Sequence, residues 1–137
     1  MTMTETIHRP SWVPLAGHQL HLAGVHFDAV RVDGIRGELV ADWLVEATDD
    51  DAGPIVCEAG GGRWVYFLLA PGEVAAYGWP LGVQQLGGHT RTVTYVGVPA
   101  LEGNTWPLRW YSVPTVTAPY VCPARLRAAL PLPPQKA

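Results

Sequence analysis

Two carboxylates in this sequence, Asp28 and Asp33, are of the residue type that metal chemistry uses. Asp28 and Asp33 lie five residues apart, and a glycine directly follows Asp33. Divalent cations such as Mg²⁺ are held mostly by acidic oxygens, so the two side chains could form a residual metal or nucleotide site. An Asp-Gly pair before a helix is also a common turn and capping sequence, and we favour this structural interpretation for Asp33.

Histidines and cysteines suggest no metal centre. His18, His21 and His26 lie close together in the sequence. In a strand, however, His18 and His21 would point to opposite faces, and no cysteine or acid completes a tetrahedral zinc set. Cys57 and Cys122 match no zinc or redox spacing, and we expect both to be reduced thiols of a cytoplasmic protein.

Basic and glycine-rich segments could bind an anion. Arg63, His89 and Arg91 would form a small anion-binding rim if the strands that carry them pair with one another. The glycines at 60–62 could cradle a phosphate through backbone amides. They lack the Lys-Ser/Thr that follows a phosphate-binding loop, so a hairpin turn is the better interpretation. Neither serine of the chain lies in a nucleophile turn, which argues against a serine hydrolase.

The composition excludes several classes of protein. The chain has 137 residues, of which 48% are hydrophobic and 15% charged, with a formal net charge of -3. Such a chain folds as one domain and lacks the broad basic surface that gathers phosphates. Nucleic-acid binding would therefore need a local patch. We also expect no secretion leader and no membrane span, because no basic and then apolar start and no apolar stretch of about 18 residues is present.

Apolar periodicity and turn residues divide the chain into short elements. In the segment 35–47, the apolar residues follow helical spacing and should form the buried face of an amphipathic helix; they are Ile35, Leu39, Val40, Trp43 and Leu44. Two more short helices are predicted at 71–77 and 123–130. The strands are predicted at 18–22, 25–32, 54–58, 64–70, 82–86, 92–98 and 108–113.

The order of these elements predicts the fold class. From residue 25 the order is strand, helix, strand, strand, helix, strand, which is the split β-α-β pattern of ferredoxin-like and RRM-like folds. We therefore predict an α+β protein with a C-terminal β extension and a short terminal helix. The single domain should span residues 15–130, between a loose N-terminal arm at 1–14 and a proline-rich tail at 131–137.

Several segments resemble the bifunctional primase-polymerase domains of plasmids and phages, which are archaeo-eukaryotic primase-like. Residues 30–37 resemble that family's Asp-x-Asp segment, which precedes a glycine and a helix. Residues 59–67 are similar to its Ser-Gly-Gly-x-His-x-Tyr-Phe strand. The segments 82–88 and 95–99 are similar to Gly-Val-Asp-x-Arg-Gly-x-Gly and Tyr-Val-x-x-Pro-Pro, and 103–110 matches its glycine turn and aromatic strand. The matches cover residues 25–113 in the right order.

The departures from the family pattern concern its chemistry. In the family, paired acids bind divalent metals. Here the first acid falls on Arg31, the second is kept as Asp33, the histidine falls on Trp64 and the third acid falls on Gln84. One carboxylate of three cannot hold two Mg²⁺ ions. The resemblance thus implies a catalytically degenerate relative in which we expect no polymerase activity. Whether any enzymatic activity survives stays open, and Mg²⁺ or Mn²⁺ would be relevant only if it does.

Three functions stay open at this point. The first is a non-enzymatic accessory or regulatory protein of an actinobacterial-type genome or mobile element, which binds a protein partner in replication, defence or regulation, or associates with itself. The second is nucleotide or nucleic-acid binding with residual metal-dependent nucleotidyl transfer. The third is a generic ferredoxin-like interaction module. The acidic net charge favours a protein partner over nucleic acid.

Overall fold

The computed structural model describes residues 9–60, 63–88 and 93–131. Its elements match the predicted ones in order, and in type with one exception. The predicted helix at 71–77 is reduced to one 3₁₀ turn, because Gly72 has a φ of 89°, outside the helical region. The elements are β1 (His18–Leu22), β2 (Asp28–Asp33), α1 (Gly34–Ala47), β3 (Ile55–Glu58), β4 (Trp64–Leu69), the 3₁₀ turn (Val74–Ala76), β5 (Gln84–Leu86), β6 (Tyr95–Pro99), β7 (Leu108–Ser112) and α2 (Pro123–Ala129).

A five-stranded antiparallel sheet in the order β5-β2-β4-β3-β7 forms the centre of the molecule. Helix α1 carries the chain from β2 to β3, and β4 returns between these two strands, as in a split β-α-β unit. Strand β7 is the predicted C-terminal extension and pairs with the outer edge of β3. A separate two-stranded sheet pairs β1 with β6. The predicted α+β class is confirmed.

The central sheet divides the hydrophobic core in two. On one face, α1 and α2 pack over residues such as Val30 and Phe67. On the other face, the β1–β6 sheet and Trp12 cover residues such as Ala29 and Leu68. The division follows from strand alternation, because successive side chains of β2 and β4 point to opposite faces. None of the helices in the described part of the chain is long and apolar enough to cross a membrane.

The N-terminal segment joins the core earlier than predicted. Trp12 is 4% exposed and Val13 is 1% exposed. The Trp12 ring lies 5.0 Å from that of Phe27 and 6.3 Å from that of Tyr120. The arm predicted at 1–14 therefore ends before Trp12, because a buried indole ring holds this part of the chain against the sheet. Residues 1–8, and 132–137 of the predicted tail, lie outside the described residues.

Helix α1 meets the sheet through its small residues. The sequence predicted a buried face that included Ile35, Leu39 and Trp43, and this was wrong for all three, which are 80%, 45% and 40% exposed. The physical reason is the close approach of the helix to β4, where a Cβ atom on Gly37 would lie 2.7 Å from Val65 Cβ. The buried residues of α1 are Gly34, Gly37, Val40, Ala41 and Leu44.

Gly37→Ala should lower the free energy of unfolding by about 1–3 kcal/mol, because the added methyl group overpacks the contact with Val65. Helix propensity alone would predict the opposite, a gain in stability, since alanine is a better helix former than glycine. Urea unfolding measures the change. Gly60→Ala is the control, because a Cβ atom there meets nothing within 4 Å. A Gly37→Ala variant as stable as the wild type would contradict the close packing of helix on sheet.

Candidate functional site

Three positions singled out in the sequence meet on the sheet face that points away from α1. Arg31 on β2 is the register partner of Gln84 on β5. Trp64 begins β4, opposite Asp33. The Arg31 Cζ atom lies 4.0 Å from the centre of the Trp64 ring. Because alternate residues of neighbouring strands share a face, Arg31, Trp64 and Gln84 stand side by side.

A tyrosine and a glutamate extend this group. The Arg31 Nη1 atom donates to the Tyr66 hydroxyl at 3.4 Å, and that hydroxyl donates to Glu58 Oε1 at 3.0 Å. Burial raises the pKa of Tyr66, so its hydroxyl stays protonated at neutral pH. The Arg31 Nε atom is buried without a hydrogen-bond partner in the described part of the chain. The guanidinium group is therefore held by two aromatic side chains rather than by a carboxylate.

Asp28 and Asp33 do not form a joint site. They begin and end the six-residue strand β2, about 16 Å apart, and they point to opposite faces. Asp33 caps α1, where its Oδ1 atom accepts from the Arg36 backbone N–H at 3.3 Å. Asp28 is 1% exposed, and its Oδ2 atom accepts from the backbone N–H groups of Gly72 at 2.8 Å and Val74 at 3.1 Å. Both carboxylates thus organise local structure, and one ion cannot bind the two together.

The divalent metal that the resemblance implies does not fit the residues at its positions. Such ions need several oxygen ligands, mostly carboxylates. On this face Asp33 lies opposite the Trp64 indole ring and two residues from the Arg31 guanidinium group. The Gln84 amide lies beyond Arg31, and the Glu58 carboxylate lies beyond Trp64 and accepts from the Tyr66 hydroxyl. Across residues 9–60, 63–88 and 93–131, no three His, Cys, Asp or Glu side chains are grouped to hold a metal ion.

The predicted anion rim can be placed only in part. Arg63 Nη2 forms an ion pair with Glu38 Oε2 at 3.0 Å, on the surface between β4 and α1. His89 and Arg91 lie outside the described residues. The one member that can be placed therefore already has an anionic partner within the protein.

Two of the three clustered histidines are neighbours in the structure. The His21 and His26 rings meet edge to face, with centres 5.4 Å apart. Burial lowers the pKa of His21, so its ring is neutral at pH 7. His18 lies on the opposite face of β1, as its spacing predicted.

A row of apolar side chains on α1 lies on the surface, although the sequence predicted that it would be buried. Ile35, Leu39 and Trp43 follow one another at intervals of four residues on the solvent side of the helix, and we call them the α1 stripe. Single exposed apolar residues are normal, but a contiguous row is typical of an interaction surface. Acidic side chains at the same spacing lie beside it: Glu38, Asp42 and Glu46. The small residues at 34, 37 and 41 were the sequence signal for the helix's true buried side.

No family model, curated protein or solved structure matches this chain. The relation to primase-polymerase domains stays a prediction from the sequence.

Arg31→Ala should lower the free energy of unfolding by about 1–2 kcal/mol, because it removes the stacking of the guanidinium group on Trp64 and the side chain's apolar packing. Urea unfolding measures the change. Gln84→Ala is the control on the same face, and we expect it to stay within about 0.5 kcal/mol of the wild type, since Gln84 is exposed. Equal stability of the Arg31→Ala variant and the control would contradict a structural role for the stacked cation.

Proposed function

We propose that this protein is a non-enzymatic binding protein that docks a protein partner on the α1 stripe. The observation that carries the proposal is the exposure of Ile35, Leu39 and Trp43 in one line on a fourteen-residue helix. Such a row is the usual anchor set of helix-mediated recognition. Trp43 adds a large aromatic surface of the kind that dominates interface energetics.

The charges beside the stripe define the chemistry of the partner. Glu38 is engaged by Arg63. Asp42 and Glu46 form no ion pair with residues in the described ranges, and both are exposed. A partner with an apolar ridge flanked by Lys or Arg would complement both the stripe and this acidic border.

The scaffold is part of the proposal. We propose a degenerate primase-polymerase-like domain of an actinobacterial-type genome or mobile element, reused as an accessory or regulatory protein. The positions of the family's first acid, histidine and third acid, here Arg31, Trp64 and Gln84, lie side by side with Asp33 on one sheet face. This grouping supports the proposal, and the residue types explain why catalysis is not part of it.

Nucleotide or nucleic-acid binding on the same sheet face is the second candidate. Arg31 forms no ion pair with the described residues, and the half-buried Trp64 offers aromatic surface beside it, whereas Tyr66 is buried. Cations and aromatic rings are the groups that contact phosphates and bases of single strands. The net charge of -3 argues against an extended nucleic-acid surface, so this candidate concerns a small ligand first.

Replacing Leu39 and Trp43 with Glu should abolish partner capture. Wild type, the Leu39→Glu/Trp43→Glu variant and a Leu15→Glu control are each tagged and purified from native host cells. Leu15 is 79% exposed, and the control therefore adds a charge at a comparable apolar surface position away from α1. The captured partner should be lost from the double variant and kept by the control.

The captured partner is then titrated with purified protein, and Trp43→Ala should weaken binding at least about tenfold, as expected for an aromatic anchor. Circular dichroism confirms that each variant is folded. A partner that binds the double variant as tightly as the wild type would end the proposal that the α1 stripe is the docking surface.

ATP, deoxynucleoside triphosphates, Mg²⁺ and Mn²⁺ should leave the melting temperature of the wild type unchanged, because the sheet face lacks a metal ligand set. Thermal shift measures this, since a ligand that binds the folded state raises its stability by mass action. A rise in melting temperature that Arg31→Ala abolishes would favour the second candidate. A labelled oligonucleotide titrated at low and moderate salt tests its nucleic-acid form, since phosphate-driven binding weakens as salt increases.

A further inference from the structure

Strand β1 has one edge without a partner strand in the described part of the chain. It pairs with β6 along its full length, from His18 opposite Pro99 to Leu22 opposite Tyr95, and with no other described strand. All of its residues except His21 are exposed. An unpaired edge presents a row of free backbone donors and acceptors, which is a template for another strand.

The hydrogen bonds that flank β1 show which backbone groups point outward. The Ala23 N–H donates to Thr94 O at 2.9 Å, and the Ala100 N–H donates to Gly17 O at 2.7 Å. Because hydrogen-bonded and non-hydrogen-bonded pairs alternate in an antiparallel ladder, the odd-numbered residues of β1 exchange bonds with β6. The even-numbered residues His18, Leu20 and Leu22 therefore direct their N–H and C=O groups away from β6. Of these groups, the Leu22 C=O already accepts from the Val25 N–H at 3.4 Å, in the turn that follows the strand.

We propose that two copies of this protein associate by antiparallel pairing of their β1 edges, with Leu20 opposite Leu20 of the second copy. A two-fold axis through this point also places His18 opposite Leu22 of the second copy, and the reverse. This register uses every outward-pointing residue of both strands. The central Leu20 pair can exchange two hydrogen bonds, and in each outer pair the Leu22 N–H can donate to His18 of the other copy, while the Leu22 C=O is shared with the Val25 N–H. A shift of the register by two residues would leave outward groups of each strand unpaired.

The sequence of β1 favours a second copy as the occupant of the edge. His-Gln-Leu-His-Leu contains no Lys, Arg, Asp, Glu or Pro, the residues with which edge strands usually prevent such pairing. In the proposed register no like-charged side chains face each other at neutral pH. Two identical strands can also pair in antiparallel orientation about a two-fold axis, so the hydrogen-bonding groups of the β1 edge need no strand of different sequence as a partner.

Apolar side chains on the outer face of the β1–β6 sheet add to the pairing. Leu20 is 64% exposed, Leu22 is 36% exposed, and Tyr95, the register partner of Leu22, is 59% exposed. In the pair of strands, Leu20 would meet its counterpart, and Leu22 would lie beside His18 of the second copy. The burial of these side chains supplies the hydrophobic part of the contact.

The proposed dimer is independent of the proposed function. The β1–β6 sheet covers one face of the central sheet, whereas α1 covers the other. Pairing at β1 therefore leaves the α1 stripe of each copy exposed. Because a five-residue strand pair is smaller than the roughly 800 Å² per partner of stable complexes, we expect a weak, concentration-dependent dimer.

Sedimentation equilibrium of the full chain from about 10 μM to 1 mM tests the association, a range chosen for a weak interface. The wild type should show a monomer–dimer equilibrium. Leu20→Pro should raise the dissociation constant about tenfold or more, because it removes one intermolecular donor from each copy. The fold should tolerate the change, since this N–H does not bond to β6 and proline is accepted on edge strands.

Leu81→Glu is the control, on a side chain that is 95% exposed near α1, and it should dimerise like the wild type. A wild type that stays monomeric throughout the range would overturn the proposal. So would a dimer that Leu20→Pro does not weaken while circular dichroism shows a folded protein.

Disulfide trapping tests the register. In a Cys122→Ser background, which removes the exposed native thiol, Leu20→Cys should form a covalent dimer when oxidised with diamide. The two thiols would lie on directly opposed residues, whose Cα atoms are about 5.5 Å apart in a hydrogen-bonded pair, within disulfide range. Leu22→Cys is the matched control on the same face. Its two thiols would be offset by four residues, about 13 Å, and should not join.

Preferential trapping of the Leu20→Cys variant supports the register. Equal trapping of both variants, or of the Leu22→Cys variant alone, would overturn it. Partner capture by the α1 stripe should be unaffected by Leu20→Pro, so failure of the dimer and failure of the proposed function give different results.

Discussion

The close contact between α1 and the central sheet depends on two glycines, and it decides which side of the helix meets water. A Cβ atom on Gly34 would lie 2.8 Å from the Arg63 carbonyl oxygen, and one on Gly37 would lie 2.7 Å from Val65 Cβ. Residues without side chains let the helix axis approach the strands closely. With Gly37 and Ala41 on the sheet, the larger side chains of the α1 stripe, two positions away, turn outward. The exposed stripe is thus a consequence of how the core is packed.

Strand β2 links the two halves of the core and carries the cation that replaces an expected acid. Arg31 stacks on Trp64 and bonds to Tyr66, which in turn bonds to Glu58, so one network joins three strands of the sheet. A cation stacked on an aromatic ring stabilises a folded protein by about 0.5–2 kcal/mol. This contribution is enough to explain the Arg31 network as one that stabilises the sheet. Ile35, Leu39 and Trp43 of α1, in contrast, belong to neither core cluster of the described residues, so their exposed surface is left for the proposed partner.

The central sheet separates the two surfaces proposed for association. Helix α1 and the β1–β6 sheet belong to different halves of the core, so contact at one does not obstruct the other. A dimer joined at β1 would carry two copies of the α1 stripe. The contact at β1 and the stripe on α1 share no residues, so each copy would bind a partner with a single matching surface whether or not the dimer forms.

The local sequence pattern was enough to predict the order of strands and helices, the split β-α-β arrangement and the helix cap at Asp33. These features depend on strand alternation, helical spacing and turn residues, which are properties of residues close together in the sequence. Tertiary structure decided what depends on distant contacts. Trp12 is buried because Phe27 and Tyr120 lie beside it. Asp28 is a buried acceptor because the turn after β4 returns to it. The main error of the sequence prediction was the side of α1 that faces the core. The apolar pattern of a helix shows that one side is packed. Which side that is depends on the close fit of Gly37 against Val65.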